Sequence, residues 1–328
     1  MTSTSLPPFV QARGLGNAYV QTAYPVLVRR PRAVPVVRER WETPDGDFLD
    51  VDICAPEGPA RGFLVLLHGL EGSTHSGYVR GSMVLARARG IAAIGLNFRT
   101  CGGEPNRLVR TYHSGETGDA AFVVARAIER WPGLPGAVCG FSLGANVALK
   151  WMGEEGDALP AAIRGGVAVS CPFDLARCAA RLDALVNWPI REHFLLPMRR
   201  KAAEKARRFP GRFDARAAAR ATTLRAFDDA FTAPVHGFRD AEDYWRRASS
   251  APFLAAIARP ALIVQALDDP LIPEEAIPRA ALAMHRHVKL EAHRRGGHVG
   301  FVHGSALSPR YWAEERAIEF VGGLLGAA

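Results

Sequence analysis

The strongest chemical signal in the chain is Gly140-Phe141-Ser142-Leu143-Gly144, directly after the apolar run Ala137-Val138-Cys139 and directly before the helical stretch Ala145–Leu149. A serine on a sharp strand-to-helix turn sits in strained backbone, so its neighbours at −2 and +2 must lack bulk. The helix N-terminus behind it brings free N–H groups and a positive dipole end to the place where a tetrahedral oxyanion develops. This context, more than the five-residue match itself, marks Ser142 as a nucleophile rather than an ordinary turn serine.

A serine hydroxyl needs a base to take its proton, and the base needs an orienting partner. On such a turn the partners follow in the order Ser, acid, His. Leu262–Pro273 reads as a strand ending in two acids and a turn, and Asp269 is the expected acid because Pro270, an apolar pair and Pro273 follow it. Asp268 is its rival, with a turn or cap role as the plainer alternative, and Asp174 is a more distant one. Among the ten histidines, His298 stands in Gly296-Gly297-His298-Val299-Gly300-Phe301, where the glycines allow a tight loop to reach the serine. His285 and His287 have an i, i+2 spacing that could suit a metal, but no third ligand cluster accompanies them, so they read as surface residues. His293 and His303 read as structural. The oxyanion needs a second N–H from the loop after an earlier strand. Val65–Ser73 runs from such a strand into such a loop, so the expected donors are the backbone N–H groups of Leu70 and Leu143, with His68 fixing the loop by hydrogen bonding.

The elements that must hold these residues alternate. Strand-length apolar runs are Phe48–Ile53, Gly62–Leu67, Ile91–Asn97, Ala137–Phe141, Gly166–Cys171, Ala261–Ala266 and Val288–Ala292. Several are almost continuously apolar, as parallel strands covered on both faces are. Helical patterns lie at Gly81–Arg89, Glu116–Arg130, Leu143–Gly153, Pro273–Met284 and Pro309–Leu325. The expected fold is therefore α/β, a mostly parallel sheet with helices on both faces. The rhythm breaks between Cys171 and Ala261, where about 90 residues read as helices and loops, too long for a crossover. The expected organisation is an irregular N-terminal arm (1–46), a core (47–171 and 260–328) and a helical cap insertion (172–259) over the C-terminal edge of the sheet. Leu182, Leu185, Val186, Trp188, Phe194, Leu195, Leu196 and Met198 are expected to line a chain-binding slot in it.

Composition bounds the rest. The 328 residues are 48% hydrophobic and 23% charged, which excludes disordered, collagenous and coiled-coil proteins. No apolar run approaches the roughly 20 residues needed to span a bilayer, and residues 1–8 lack the basic and apolar regions of a signal peptide. Five scattered cysteines without CxxC pairs argue against a disulfide framework or zinc cluster and point to the reducing cytoplasm. The net charge is +8, yet only four of the 41 basic residues are lysine, an excess of arginine that a GC-rich coding sequence produces without functional demand. Nucleic acid is not the expected partner. The one basic concentration, Arg191–Arg225, reads as a solvated helical face, with contact through the cap to an anionic membrane or an acidic ligand as the alternative.

Several stretches together resemble the YheT-type branch of the α/β-hydrolase superfamily, whose eukaryotic relatives are abhydrolase-domain proteins acting on lipid acyl esters. They are His68–Ser73, Asn97–Arg107, Tyr112–Thr117, Gly140–Gly144, Phe227–Phe238 and Gly296–Phe301, and the resemblance covers most of residues 15–325. Thr100 departs from it, standing where that family's small glycine is expected. His113, in the Tyr112–Thr117 stretch, reads as structural or pocket-lining. The resemblance implies an α/β-hydrolase fold in which Ser142, Asp269 and His298 form the triad. The expected activity is hydrolysis of a small-molecule carboxylic ester, with a short- to medium-chain acyl group, through an acyl-enzyme, without metal or organic cofactor. An acyltransferase using an alcohol at the same acyl-enzyme is the alternative, because nucleophile and oxyanion hole are shared.

Overall fold

The computed structural model describes residues 6–30 and 33–327. Eight strands build the main sheet: β1 (Val37–Glu42), β2 (Phe48–Cys54), β3 (Gly62–Leu67), β4 (Ile91–Asn97), β5 (Gly136–Phe141), β6 (Ile163–Val169), β7 (Ala261–Ala266) and β8 (Val288–His293). Their order is β1-β2-β4-β3-β5-β6-β7-β8. From β4 across to β8 every pairing is parallel, whereas β2 runs antiparallel to β4 and to β1. The continuous apolar runs have the reason expected of them. Phe63, Val65 and Leu67 of β3 pack on one face with Val123, Val147 and Trp151, while Leu64 and Leu66 pack on the other with Val79, Met83, Ile318 and Val321. Both faces are thus covered by helices, among them α2 (Gly77–Ala88), α3 (Thr117–Arg130), α4 (Leu143–Glu155) and the C-terminal helix Trp312–Leu325.

Several elements differ from the sequence reading. Residues 1–46 are not an irregular arm throughout: Ala18–Val28 forms helix α1, capped by the Asn17 side chain, and Val37–Glu42 is the edge strand β1. The run Arg38-Glu39-Arg40-Trp41-Glu42 hides its strand character because its single buried side chain is Trp41, and charge suits an exposed edge. Strand β6 begins at Ile163 and ends at Val169, not at Gly166 and Cys171. The glycines that obscured its start are needed inside it, since a Cβ on Gly165 would lie 2.2 Å from the Pro260 carbonyl oxygen. Pro273–Met284 is not one helix but a 3-10 turn (Glu274–Ala276) and a short helix (Arg279–Ala283), because Pro278 holds Ile277 extended. Pro309–Tyr311 joins Val302–Gly304 in a two-stranded ribbon ahead of the C-terminal helix.

Between β6 and β7 the chain forms α5 (Leu175–Asp183), the long α6 (Trp188–Arg208) and short helices from Ala215 to Ala248. The basic run here is not only a solvated face. Lys205 is buried and donates to the carbonyls of Asn106 and Leu108, and Lys201 turns inward to Glu71. No helix among the described residues is long and apolar enough to cross a membrane.

Candidate active site

Six non-glycine residues have positive φ among the described residues, and all six lie just beyond the C-terminal ends of sheet strands. Glu71 (+53°) follows β3, Thr100 (+70°) β4, Ser142 (+53°) β5 and Ser170 (+52°) β6, while Val299 (+54°) and Phe301 (+42°) follow β8. Strain of this kind persists only where the surroundings over-determine it. At Ser142 the determinants are clear. A Cβ at Gly140 would meet the Gly144 carbonyl oxygen at 2.1 Å, and one at Gly144 would meet the Leu67 carbonyl oxygen at 2.3 Å. At Thr100 the amide donates to Asn106 Oδ1 at 2.6 Å, and Asn106 is tied in turn to Asp47 Oδ1 and the Phe48 carbonyl. Arg99 beside it is buried, with both Asp119 carboxylate oxygens at 2.8 Å and Asp47 at 3.1 Å. That network holds a β-branched residue in the left-handed backbone where glycine is usual.

The turn brings Ser142 Oγ within 2.8 Å of His298 Nε2, and His298 Nδ1 lies 2.8 Å from Asp269 Oδ2. The other oxygen of Asp269 accepts the N–H groups of Leu271 (2.8 Å) and Ile272 (3.1 Å), so the buried carboxylate cannot rotate freely. Asp268 points elsewhere, its Oδ1 accepting the Gly297 N–H at 3.0 Å. Asp174 caps α5 by accepting from Arg177 N. Leu70 and Leu143 line the same cavity as Ser142 and His298. His68 is fully buried, donates from Nδ1 to the Gly69 carbonyl (2.7 Å) and accepts the Phe98 N–H at Nε2 (3.1 Å). Accepting at Nε2 requires the neutral ring, and burial lowers its pKa to about 4. His113 lines the cavity, and burial lowers its pKa to about 3. His285 accepts the N–H groups of His287 and Val288, while His293 packs against Phe9, Phe301 and Trp312.

The cavity has an apolar side from the insertion and the Asp269 loop, including Leu182, Phe194, Met198, Leu271 and Ile272. Its polar side comes from Glu71, Thr111, Tyr112, His113 and Lys201. The slot expected from sequence is only partly there. Leu182, Phe194 and Met198 line the cavity, whereas Leu195 is buried in the insertion's own core and Leu185, Val186, Trp188 and Leu196 face outward. On α6 the exposed face runs through Pro189, His193, Leu196 and Arg200, so these positions share one side at helical spacing.

The N-terminal segment is the part of the site that sequence reasoning missed. The His298 N–H donates to Thr22 Oγ1 at 2.9 Å. Gln21 is fully buried, donating to the carbonyls of Leu15 (2.9 Å) and Val302 (3.2 Å) and accepting the Val302 N–H (2.8 Å). Gly297 and Gly300 are needed for that close approach, since a Cβ on either would clash with the Ala18 or Gln21 carbonyl. The one local signal was Asn17 as a helix cap. Ser170 was also missed, and its Oγ accepts the Val299 N–H at 3.0 Å.

Comparison with known proteins agrees with this architecture. Residues 62–305 match the model of a family described as the alpha/beta hydrolase fold. The chain is 37% identical over 319 residues to an esterase-named protein, YheT, of Escherichia coli (strain K12), covering 95% of this chain and 92% of that one. It is 27% identical over 312 residues to human phospholipase ABHD3 (93% and 75% covered) and 28% identical over 317 residues to the monoacylglycerol lipase of Saccharomyces cerevisiae (94% and 67%). Among solved structures, the Pyrococcus furiosus esterase Pf2001 superposes with a TM-score of 0.59 at 18% identity, covering 89% of this chain and 92% of that one. That likeness speaks to the fold.

Proposed function

The chain belongs to the α/β hydrolase fold family, and from that premise we propose that it is a serine esterase using Ser142, His298 and Asp269 as its catalytic triad. The observation that carries the reading is the unbroken line Ser142 Oγ–His298 Nε2–Asp269 Oδ2, each step 2.8 Å. In this reading Ser142 Oγ attacks the acyl carbonyl carbon while His298 Nε2 takes its proton. Asp269 accepts from Nδ1–H, which fixes the tautomer and stabilises the imidazolium. The N–H groups of Leu70 and Leu143 hold the oxyanion. The C–O bond to the alcohol then breaks, the alcohol leaves with the proton from His298, and an acyl ester remains on Ser142. Water repeats the sequence, releasing a carboxylic acid. The apolar side of the cavity takes the acyl chain, which favours short- to medium-chain acyl esters.

The test compares the native chain with Ser142→Ala for labelling by a fluorophosphonate and turnover of p-nitrophenyl butyrate. Loss of both is expected, on the order of 10⁶ in kcat for removal of a triad nucleophile. Labelling that persists in Ser142→Ala would remove Ser142 from the role.

A further inference from the structure

Among the described residues Val10, Val37, Met284 and Leu307 are exposed singly, whereas two groups of large apolar side chains remain in solvent together, and both belong to elements bonded to the loops of the active site. One is the turn between α5 and α6 with the start of α6, where Leu185 is 86% exposed, Trp188 54% exposed, and Val186 and Leu196 are also exposed. Asn187, inside this turn, is buried and donates to the Pro270 carbonyl, next to Asp269, at 3.0 Å. The other is the end of α1, where Leu27 is 80% exposed beside exposed Val26 and Val28. This is the helix whose Thr22 accepts the His298 N–H. The apolar groups are therefore anchored to the acid loop and the histidine loop.

Charge accompanies both. Arg30 follows the α1 group, and Arg200 and Arg207 continue the exposed face of α6 beyond Leu196. Arg212, Arg216 and Arg220 follow on the neighbouring segment. All six are exposed, and none forms an ion pair among the described residues, although most other arginines of the chain do. Protruding aliphatic and indole side chains, with Arg30 two residues past Val28 and Arg200 one turn past Leu196, combine the two interactions that hold a peripheral protein on a membrane, apolar insertion at the headgroup boundary and attraction to anionic lipid. A protein partner would have to match two separate apolar groups at once. A fluid lipid surface accommodates both without shape complementarity.

We propose that this surface, formed by Leu185, Val186 and Trp188 on one element and Val26 and Leu27 on the other, docks on anionic lipid bilayers. The docked face is the one that carries the active-site loops. The inference goes beyond the esterase reading and does not need it, since binding is measured without turnover.

The experiment is co-sedimentation of the full chain with phosphatidylcholine vesicles, and with vesicles in which part of the phosphatidylcholine is replaced by phosphatidylglycerol. The expected result is binding to the anionic vesicles that weakens with added salt. The triple variant Leu185→Ser, Val186→Ser, Trp188→Ser should weaken it by at least about tenfold, and Arg200→Glu with Arg207→Glu by a similar factor. Thermal melting of each variant checks that the fold is kept, as expected for exposed positions. Native protein left in the supernatant with both vesicles would overturn the proposal, as would a triple variant that binds like the native chain. A native dimer in light scattering that the triple variant dissociates would also overturn it, because the surface would then be an interface between two copies.

Discussion

The ammonium of Lys201, on α6 of the insertion, lies 2.8 Å from one carboxylate oxygen of Glu71 and 3.0 Å from the other. Glu71 is the residue after Leu70, the proposed oxyanion donor, and has a φ of +53°. Its N–H donates to Tyr112 Oη, and the Tyr112 hydroxyl donates back to Glu71 Oε1, both at 2.8 Å. The loop after β3 is thus held from the sheet side by Tyr112 and from the insertion by Lys201. One ion pair joins the cover of the cavity to the loop that would hold the oxyanion.

Replacing Lys201 with Met should therefore act on catalysis more than on affinity. It leaves the Glu71 carboxylate mostly buried without its cation, and breaking such a pair costs about 3 kcal/mol in stability. With the loop freed, kcat for p-nitrophenyl butyrate should fall by about 10²-fold, the scale of one misplaced oxyanion donor, while KM changes much less. Lys201→Arg should recover part of kcat. A Lys201→Met enzyme with native kcat and a raised KM would show that Lys201 only lines the cavity.

The two adjacent acids should behave very differently. Asp269→Asn puts an amide against His298 Nδ1, where it can hold the wrong tautomer, at a cost of around 10⁴ in kcat. Asp268 accepts the Gly297 N–H, away from His298, and an asparagine retains a carbonyl oxygen for that bond. Its loss should stay within about tenfold, because one neutral hydrogen bond replaces a charge-assisted one. Steady-state kinetics of both variants decide the matter, and a reversed ranking would transfer the orienting role to Asp268.

What could be read in the sequence was whatever local pattern dictates. The glycines around Ser142 exclude bulk within five residues, and β3, β4 and β7 announce themselves because both faces of each are covered. What could not be read depends on distant pairing. Gln21 and Val302 are 281 positions apart, and nothing near either one signals that they bond. Lys201 stood in a basic run that resembles a solvated face, yet its partner is 130 positions away. The outward turn of Leu185 and Trp188 followed from which side of the α5–α6 turn and of α6 the body covers, a matter of packing that composition does not encode.

Acid should destabilise the fold well before its carboxylates are protonated. Burial lowers the pKa of His68 to about 4, of His113 to about 3 and of His236 to about 2, so the fold holds all three neutral. In the unfolded chain they titrate near 6.5. Their contribution is complete above that pH and is lost as pH falls toward 4, at about 1.4 kcal/mol per pH unit for each ring. Asp228 opposes them: burial raises its pKa to about 7, so below pH 7 the fold keeps a proton that the unfolded chain releases until about pH 4. These four groups together give the slope of about two protons, roughly 3 kcal/mol per pH unit between pH 6 and 4.5, to which His293 and His303, lowered by burial, add and from which Asp119 and Asp268, raised by burial, subtract. Denaturant unfolding across this range measures it. The double variant His113→Gln, His236→Gln should remove most of the slope, and an unchanged slope would place its origin elsewhere.

Chain length should set the rate through the apolar side of the cavity. Leu182, Phe194, Met198, Phe227 and Phe231 from the insertion line the cavity together with Leu271 and Ile272 from the acid loop. Each methylene moved from water into such a wall is worth up to about 0.8 kcal/mol, or nearly fourfold in kcat/KM. Esters from acetyl through butyryl to hexanoyl should therefore rise in kcat/KM, measured below their aggregation limits. Ala179 offers the complementary test, because it lines the same wall on α5, is buried, and carries the smallest side chain there. Ala179→Phe should fill the slot, lowering kcat/KM for the hexanoyl ester by about tenfold or more and for the acetyl ester much less, since only the longer chain must reach the space that the ring now occupies. A flat series in the native enzyme, or an equal loss for both esters in the variant, would mean that these side chains fasten the insertion to the sheet and do not meet the acyl chain.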